Sequence, residues 1–167
     1  MVKTKNHLKT QVKPKLKKTS ETRKFKKIIT IKKILVPLDG SKYSFHALDV
    51  AISLSSHYSS SIIAVYVFDL PISLEFGVID PVGERLKKKI LGAMKTAKLR
   101  CEKQNIPFKS IMTHGKVEPG IIDVSKKEKC DIIVVGKRGK SSVAEIFLGS
   151  VSHYVIHHSK IPVIIVK

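Results

Sequence analysis

Tryptophan is absent, and the four tyrosines and six phenylalanines bring the aromatic share of the 167-residue chain to only 6%. With 43% of residues hydrophobic, the core must therefore be built from Ile, Val, Leu and Ala, the composition of a buried parallel sheet. There are two cysteines, Cys101 and Cys130, too few for a disulfide framework and without the CxxC or Cys/His spacing of a zinc site, so a reducing, cytoplasmic setting is expected. Nothing approaches the roughly 18 consecutive apolar residues of a membrane-spanning helix, and the N-terminal region lacks the apolar block of a secretory signal.

Acidic residues are scarce: 13 Asp and Glu face 32 Lys and Arg, for a formal charge of +19. The excess is uneven, since residues 1–30 hold 11 Lys or Arg and one Glu. Such a segment repels itself and has little to bury, which predicts a disordered tail over 1–30, attracted to nucleic acid or another polyanion, ahead of a single domain over 31–167. Its single arginine, Arg23, and sparse apolar residues argue against a mitochondrial transit peptide.

Within the domain, apolar runs of strand length alternate with helical periodicity. Strands are expected at 33–37, 61–68, 108–113, 131–135 and 161–166, and helices at 42–57, 84–104, 119–129 and up to about His158. The stretch 69–83, with Gly77, Gly83, Pro71 and Pro81, reads as a long loop. Five strands joined through four helices give an α/β fold: a doubly wound, open, five-stranded parallel sheet with helices on both faces. Ligands of such sheets bind at the carboxyl ends of the strands, where the winding reverses.

Chemistry concentrates after the fourth strand. Gly136 and Gly139 are followed, nine residues on, by Gly149-Ser150-Val151-Ser152 at the start of the last helix. Glycine lets backbone approach a ligand, and a helix N-terminus offers unpaired N–H groups to phosphate. Lys137, Arg138 and Lys140 add positive charge, as groups that attract polyphosphate or as solvated side chains. Asp39-Gly40-Ser41 after the first strand is turn and helix-cap chemistry.

Other motifs do not fit. Gly139-Lys140-Ser141 would need a glycine at position 134 to be a P-loop, and Val stands there. No G-x-G-x-x-G follows the first strand, so a dinucleotide is not expected. His153 and His157 share a helix face, but no Asp, Glu or Cys lies near in sequence to complete a metal site. No paired carboxylates, nucleophile-base pair or nucleophile elbow is present, so at most slow hydrolysis of a bound nucleotide is expected.

Over residues 31–167 the chain resembles the nucleotide-binding branch of the universal stress protein family, in the opening Lys33-Ile34-Leu35-Val36-Pro37-Leu38-Asp39-Gly40-Ser41, in the G-x-x-G, nine residues, G-[S/T] fingerprint, and in the closing Ile161 to Val166. The resemblance implies a Rossmann-like sheet of the adenine nucleotide alpha hydrolase kind, with ATP, accompanied by Mg²⁺, bound between the first and fourth strands. It would place Asp39 and the backbone of Val67 at the adenine, and Pro37 and Gly136 on the ribose side. Gly139, Gly149, Ser150, Val151 and Ser152 would then meet the phosphates. Leu38 departs from the small polar residues also found there, but a backbone contact would survive. The resemblance further implies a regulatory, stress-response role and a homodimer paired through the C-terminal strand. The rival expectation from composition is a dimeric scaffold whose basic tail does the binding.

Overall fold

The computed structural model describes residues 30–69, 81–139 and 148–167, with the side chains of 81–83 excepted; the tail 1–29 and most of the expected 69–83 loop lie outside the described residues. The elements are β1 (Lys33–Pro37), α1 (Lys42–Tyr58), β2 (Ser61–Phe68), α2 (Pro81–Glu102), β3 (Phe108–His114), α3 (Val117–Lys127), β4 (Ile132–Gly136), α4 (Ser150–His158) and β5 (Val163–Val166). All strand pairs are parallel, in the order β3-β2-β1-β4-β5. The doubly wound sheet expected from the alternation is therefore the fold. The chain winds one way from β1 to β3, then crosses back to β4, so the winding reverses between β1 and β4.

Strand alternation sorts the core into two layers. Ile34, Val36, Ile62, Ala64, Ile132 and Val134 face α1 and α2, where they meet Leu48, Met94 and Cys101. Leu35, Ile63, Val65, Ile133 and Val135 face α3 and α4, where Ile121, Ile122 and Val155 cover them. Both faces of β1, β2 and β4 are thus apolar, which is why their sequences read as unbroken Ile/Val runs rather than alternating ones.

Some boundaries shift for local reasons. α2 begins at Pro81, not at 84, because proline suits the first helical turn, so residues 81–83 belong to the helix and not to the loop. α3 begins at Val117, two residues before Pro119; the missing N–H costs nothing there, because the first N–H the helix bonds is that of Gly120, to Lys116 C=O at 3.0 Å. β4 runs from Ile132, and Asp131 just before it ties the strand start to β1: its N–H donates to Lys33 C=O at 2.9 Å, and its Oδ2 takes the N–H groups of Lys32 and Lys33 at 2.8 and 2.9 Å. β5 starts at Val163, since the N–H of Ile161 is donated to Ser159 Oγ at 3.1 Å within the preceding turn and Pro162 has none.

Candidate functional site

The chain leaves β1 at Pro37, and the Leu38 N–H donates to Val65 C=O at 2.8 Å, the last bond of the β1–β2 ladder. The next rung would run from the Val67 N–H to the Leu38 C=O and is not formed, because the chain turns at Gly40, whose φ of 75° suits glycine. Val67 shares the parity of Val65, so its backbone N–H and C=O face the gap that β1 has vacated. The turn is held by Asp39 Oδ1, which accepts the Ser41 N–H at 2.9 Å, and Ser41 Oγ caps α1 by accepting the Ser44 N–H at 3.1 Å.

On the other side of the reversal, β4 ends at Gly136. A Cβ there would lie 2.7 Å from the Tyr43 carbonyl oxygen, so this glycine lets α1 pack directly on the strand end. At Gly139 a Cβ would lie 2.9 Å from Asp39 Oδ2, which puts the Asp39 carboxylate against the loop backbone. Gly149, the N-cap of α4, donates its N–H to Lys137 C=O at 3.0 Å, and a Cβ on it would lie 3.3 Å from the Arg138 Cα. Ser152 is buried and turns its hydroxyl back onto the Lys137 and Gly149 carbonyls, both at 2.9 Å. Its Oγ proton is thereby committed to clamping α4 against the loop, and what Ser152 presents outward is its backbone N–H. The first helical N–H to bond is that of His153, to Gly149 C=O at 3.0 Å, which leaves those of Ser150, Val151 and Ser152 without a partner among the described residues.

Pro37, Leu38, Asp39, Val67, Gly136, Gly139, Gly149, Ser150, Val151 and Ser152, the residues that the family resemblance assigns to the nucleotide, line one cavity of about 470 Å³ at the carboxyl ends of β1, β2 and β4, whereas Lys137 does not line it and Lys140 lies outside the described residues. That volume suits a small molecule of nucleotide size. The floor is apolar, with Val65, Val117 and Ile121; the rim carries the three open N–H groups and the positive end of the α4 dipole.

Several lining residues escaped the sequence reading. Tyr66 is one; burial, reinforced by the Asp39 carboxylate, holds its phenol above the ordinary value. Arg138, by contrast, was named from the sequence, either as a group that attracts polyphosphate or as a solvated side chain; it is only 9% exposed and lines the cavity. Val117 and Ile121 lie four apart on α3, a spacing that marks one face but not what it covers. Gly120, next to them, brings α3 onto β2: a Cβ would sit 2.9 Å from Val67 Cγ1. His153 and His157 stack with ring centroids 4.4 Å apart on the exposed side of α4, away from the cavity lining. Among the described residues there is no grouping of three or more His, Cys, Asp or Glu able to hold a metal, and no helix long and apolar enough to cross a membrane.

These features define an open α/β protein with a ligand-sized cleft at the topological switch point of its sheet. The family model of the universal stress protein family matches residues 30–167, and the chain belongs to that family. It is 32% identical to the universal stress protein MJ0531 of Methanocaldococcus jannaschii over 139 residues, covering 81% of this chain and 82% of that one. Among solved structures, that of MJ0577 from the same organism superposes with a TM-score of 0.73 at 30% identity, covering 83% of this chain and 97% of that one. Two more distant structures share the fold: a universal stress protein in complex with cAMP, with a TM-score of 0.68, 24% identity and coverage of 83% and 98%, and one from Arabidopsis thaliana with AMP bound, with a TM-score of 0.62, 18% identity and coverage of 81% and 91%.

Proposed function

We propose that this chain is a nucleotide-dependent regulatory protein of the stress response whose cavity binds an adenine nucleotide, ATP accompanied by Mg²⁺. One observation carries the reading: residues chosen from four separate stretches of sequence converge on a single cavity at the β1/β4 reversal. Solved proteins of this fold hold cAMP and AMP, which supports an adenylate as the ligand.

In this reading the Val67 N–H and C=O supply the donor and acceptor that an adenine edge needs, with the apolar floor beneath the base and Asp39 beside it. Pro37, Leu38 and Gly136 flank the ribose. The N–H groups of Ser150, Val151 and Ser152 and the Ser150 hydroxyl receive phosphate, with Gly139 and Gly149 giving the loop its close approach. Binding is the role of these residues, and occupancy reports the nucleotide pool to a partner.

Residues 31–167 form the nucleotide domain and 1–30 an appended basic tail, in a cytoplasmic protein. β5 stands at the sheet edge with its outer side unpaired among the described residues, and a second copy adding its own β5 would cover that edge in a twofold dimer. Calorimetric titration of Mg²⁺-ATP, AMP and cAMP into the full chain tests the reading, with Ser150→Asp as the control that puts like charge at the phosphate end. Saturable binding that Ser150→Asp abolishes is expected; a folded wild-type chain that takes up none of the three would refute it.

A further inference from the structure

The outer face of α2 is a cationic stripe that the cavity does not use. Arg85, Lys88, Lys89, Gly92, Lys95, Thr96 and Leu99 follow one another at steps of one or three residues and are all exposed, while Ile90, Ala93, Met94, Ala97 and Cys101 on the opposite side are buried. The two acids of the helix, Glu84 and Glu102, lie at its ends and pair with Lys87 and Lys98, each at 3.6 Å. Arg100 on the flank pairs with Asp49 at 2.8 Å. Arg85, Lys88, Lys89 and Lys95 form no ion pair with a described carboxylate. Gly92 sits at the centre of the stripe, and a Cβ built there meets nothing within 4 Å.

We propose that this face of α2 binds the phosphate backbone of double-stranded nucleic acid without reading its sequence. Charge complementarity selects the partner. From Arg85 to Lys95 the stripe runs about 15 Å along the axis, enough to reach about two or three successive phosphates of one strand. Gly92 leaves a shallow notch between the cations, where a phosphate can come up to the helix. The stripe offers few groups for reading base edges, so the contact is electrostatic. An anionic membrane fits less well: a helix that lies in a lipid interface needs an apolar face to insert, and here that face is spent on the core, leaving among the described residues of the helix only Leu91 and Leu99 as exposed large apolar side chains. The basic tail of residues 1–30 would add to the same attraction, but the stripe belongs to the folded domain and can be tested apart from it.

The test is fluorescence anisotropy of a labelled 25-base-pair duplex of arbitrary sequence with the full chain, repeated across a salt series. Three variants separate the contributions: Arg85→Gln/Lys88→Gln/Lys95→Gln on the stripe, Lys126→Gln/Lys127→Gln/Lys129→Gln elsewhere on the domain, and Gly92→Glu. The stripe variant is expected to weaken binding at least ten-fold and to lower the slope of log affinity against log salt by about 2 to 3, since each phosphate contact carries about 0.9. The variant with the same charge change elsewhere should fall much less. Gly92→Glu should weaken duplex binding while raising the melting temperature, because it replaces an exposed helical glycine; a merely structural role for the face could not give that opposition. No duplex binding by the wild type, equal losses in both triple variants, or an unchanged slope in the stripe variant would overturn the proposal. So would vesicles of one-third phosphatidylserine losing the stripe variant while the duplex keeps it, an outcome that assigns the face to membrane.

Discussion

Asp39 and Gly139 meet across the β1/β4 reversal, so closely that a Cβ on the glycine would stand 2.9 Å from the Asp39 Oδ2. The atom that would be struck is the far end of a side chain, not backbone. Gly139→Val should therefore cost about 1–2 kcal/mol in stability, since the carboxylate has to shift while its Oδ1 holds the Ser41 N–H. The displaced carboxylate and the filled space fall on the candidate site, so adenylate affinity should drop at least ten-fold. Chemical denaturation and calorimetry on the same protein read the two effects, and a variant that binds as tightly as wild type would remove Gly139 from the site.

Gly136→Ala should behave in the reverse way. Its Cβ would press on the backbone carbonyl of Tyr43 at 2.7 Å, and α1 must shift to admit it. A loss of about 1–3 kcal/mol is expected, seen as a lower denaturation midpoint whether or not nucleotide is present. A midpoint within error of wild type would mean that α1 is not seated against the strand end.

The two serines at the start of α4 should separate structure from binding. Ser152→Ala removes a buried hydroxyl that clamps the Lys137 and Gly149 carbonyls, with an expected cost of about 1–2 kcal/mol. Ser150 is exposed and makes no such bond, so Ser150→Ala should leave the melting temperature within about 1 °C and weaken only nucleotide binding. Thermal melts of both variants decide it; equal destabilisation would contradict the clamp.

Burial, with smaller contributions from neighbouring carboxylates, pushes the Cys101 and Cys130 thiols up to about 11 from the usual 9.0. Both should resist alkylation at pH 8 in the folded protein and react on unfolding. The linkage has a definite sign. Between pH 9 and 11 the unfolded chain gives up thiol protons that the folded chain keeps, so stability is full below pH 9 and falls across that window by about 1.4 kcal/mol per pH unit for each thiol. Urea midpoints from pH 8 to 11 should decline for wild type and decline less for Cys101→Ala/Cys130→Ala; equal declines would mean the thiols are not the cause.

The fold was legible because its signals are local. The Ile/Val runs of β1, β2 and β4 and the three- and four-residue steps of α1 depend on neighbours in sequence. The glycine spacing from Gly136 to Gly149 likewise survives as a pattern. Tyr66 was harder, since a tyrosine inside a strand does not announce that a cavity receives it, and for Arg138 the glycine loop left a polyphosphate-facing and a solvated side chain equally open until packing placed it at the cavity. The committed hydroxyl of Ser152 was illegible for a related reason: its acceptor, the Lys137 carbonyl, lies on another element, and only the packed chain brings them to 2.9 Å. The start of β5 was misread because Ile161-Pro162 continues the apolar run, while Ile161 is tied into the Ser159 turn and Pro162, with no N–H to donate, joins β4 only through its carbonyl, which accepts the Ile133 N–H at 3.0 Å.

The cavity draws one wall from β1, the first strand, and another from α4, the last helix. A chain emerging from the ribosome N-terminus first exposes β1, β2 and α3 well before the segment that closes the site. Whatever occupies the cleft can therefore neither template early folding nor rescue a truncated product; it recognises only the finished molecule. By mass action the binding energy of an adenylate held there would appear as resistance of the whole sheet to unfolding, so that the abundance of the ligand would help set the lifetime of the protein.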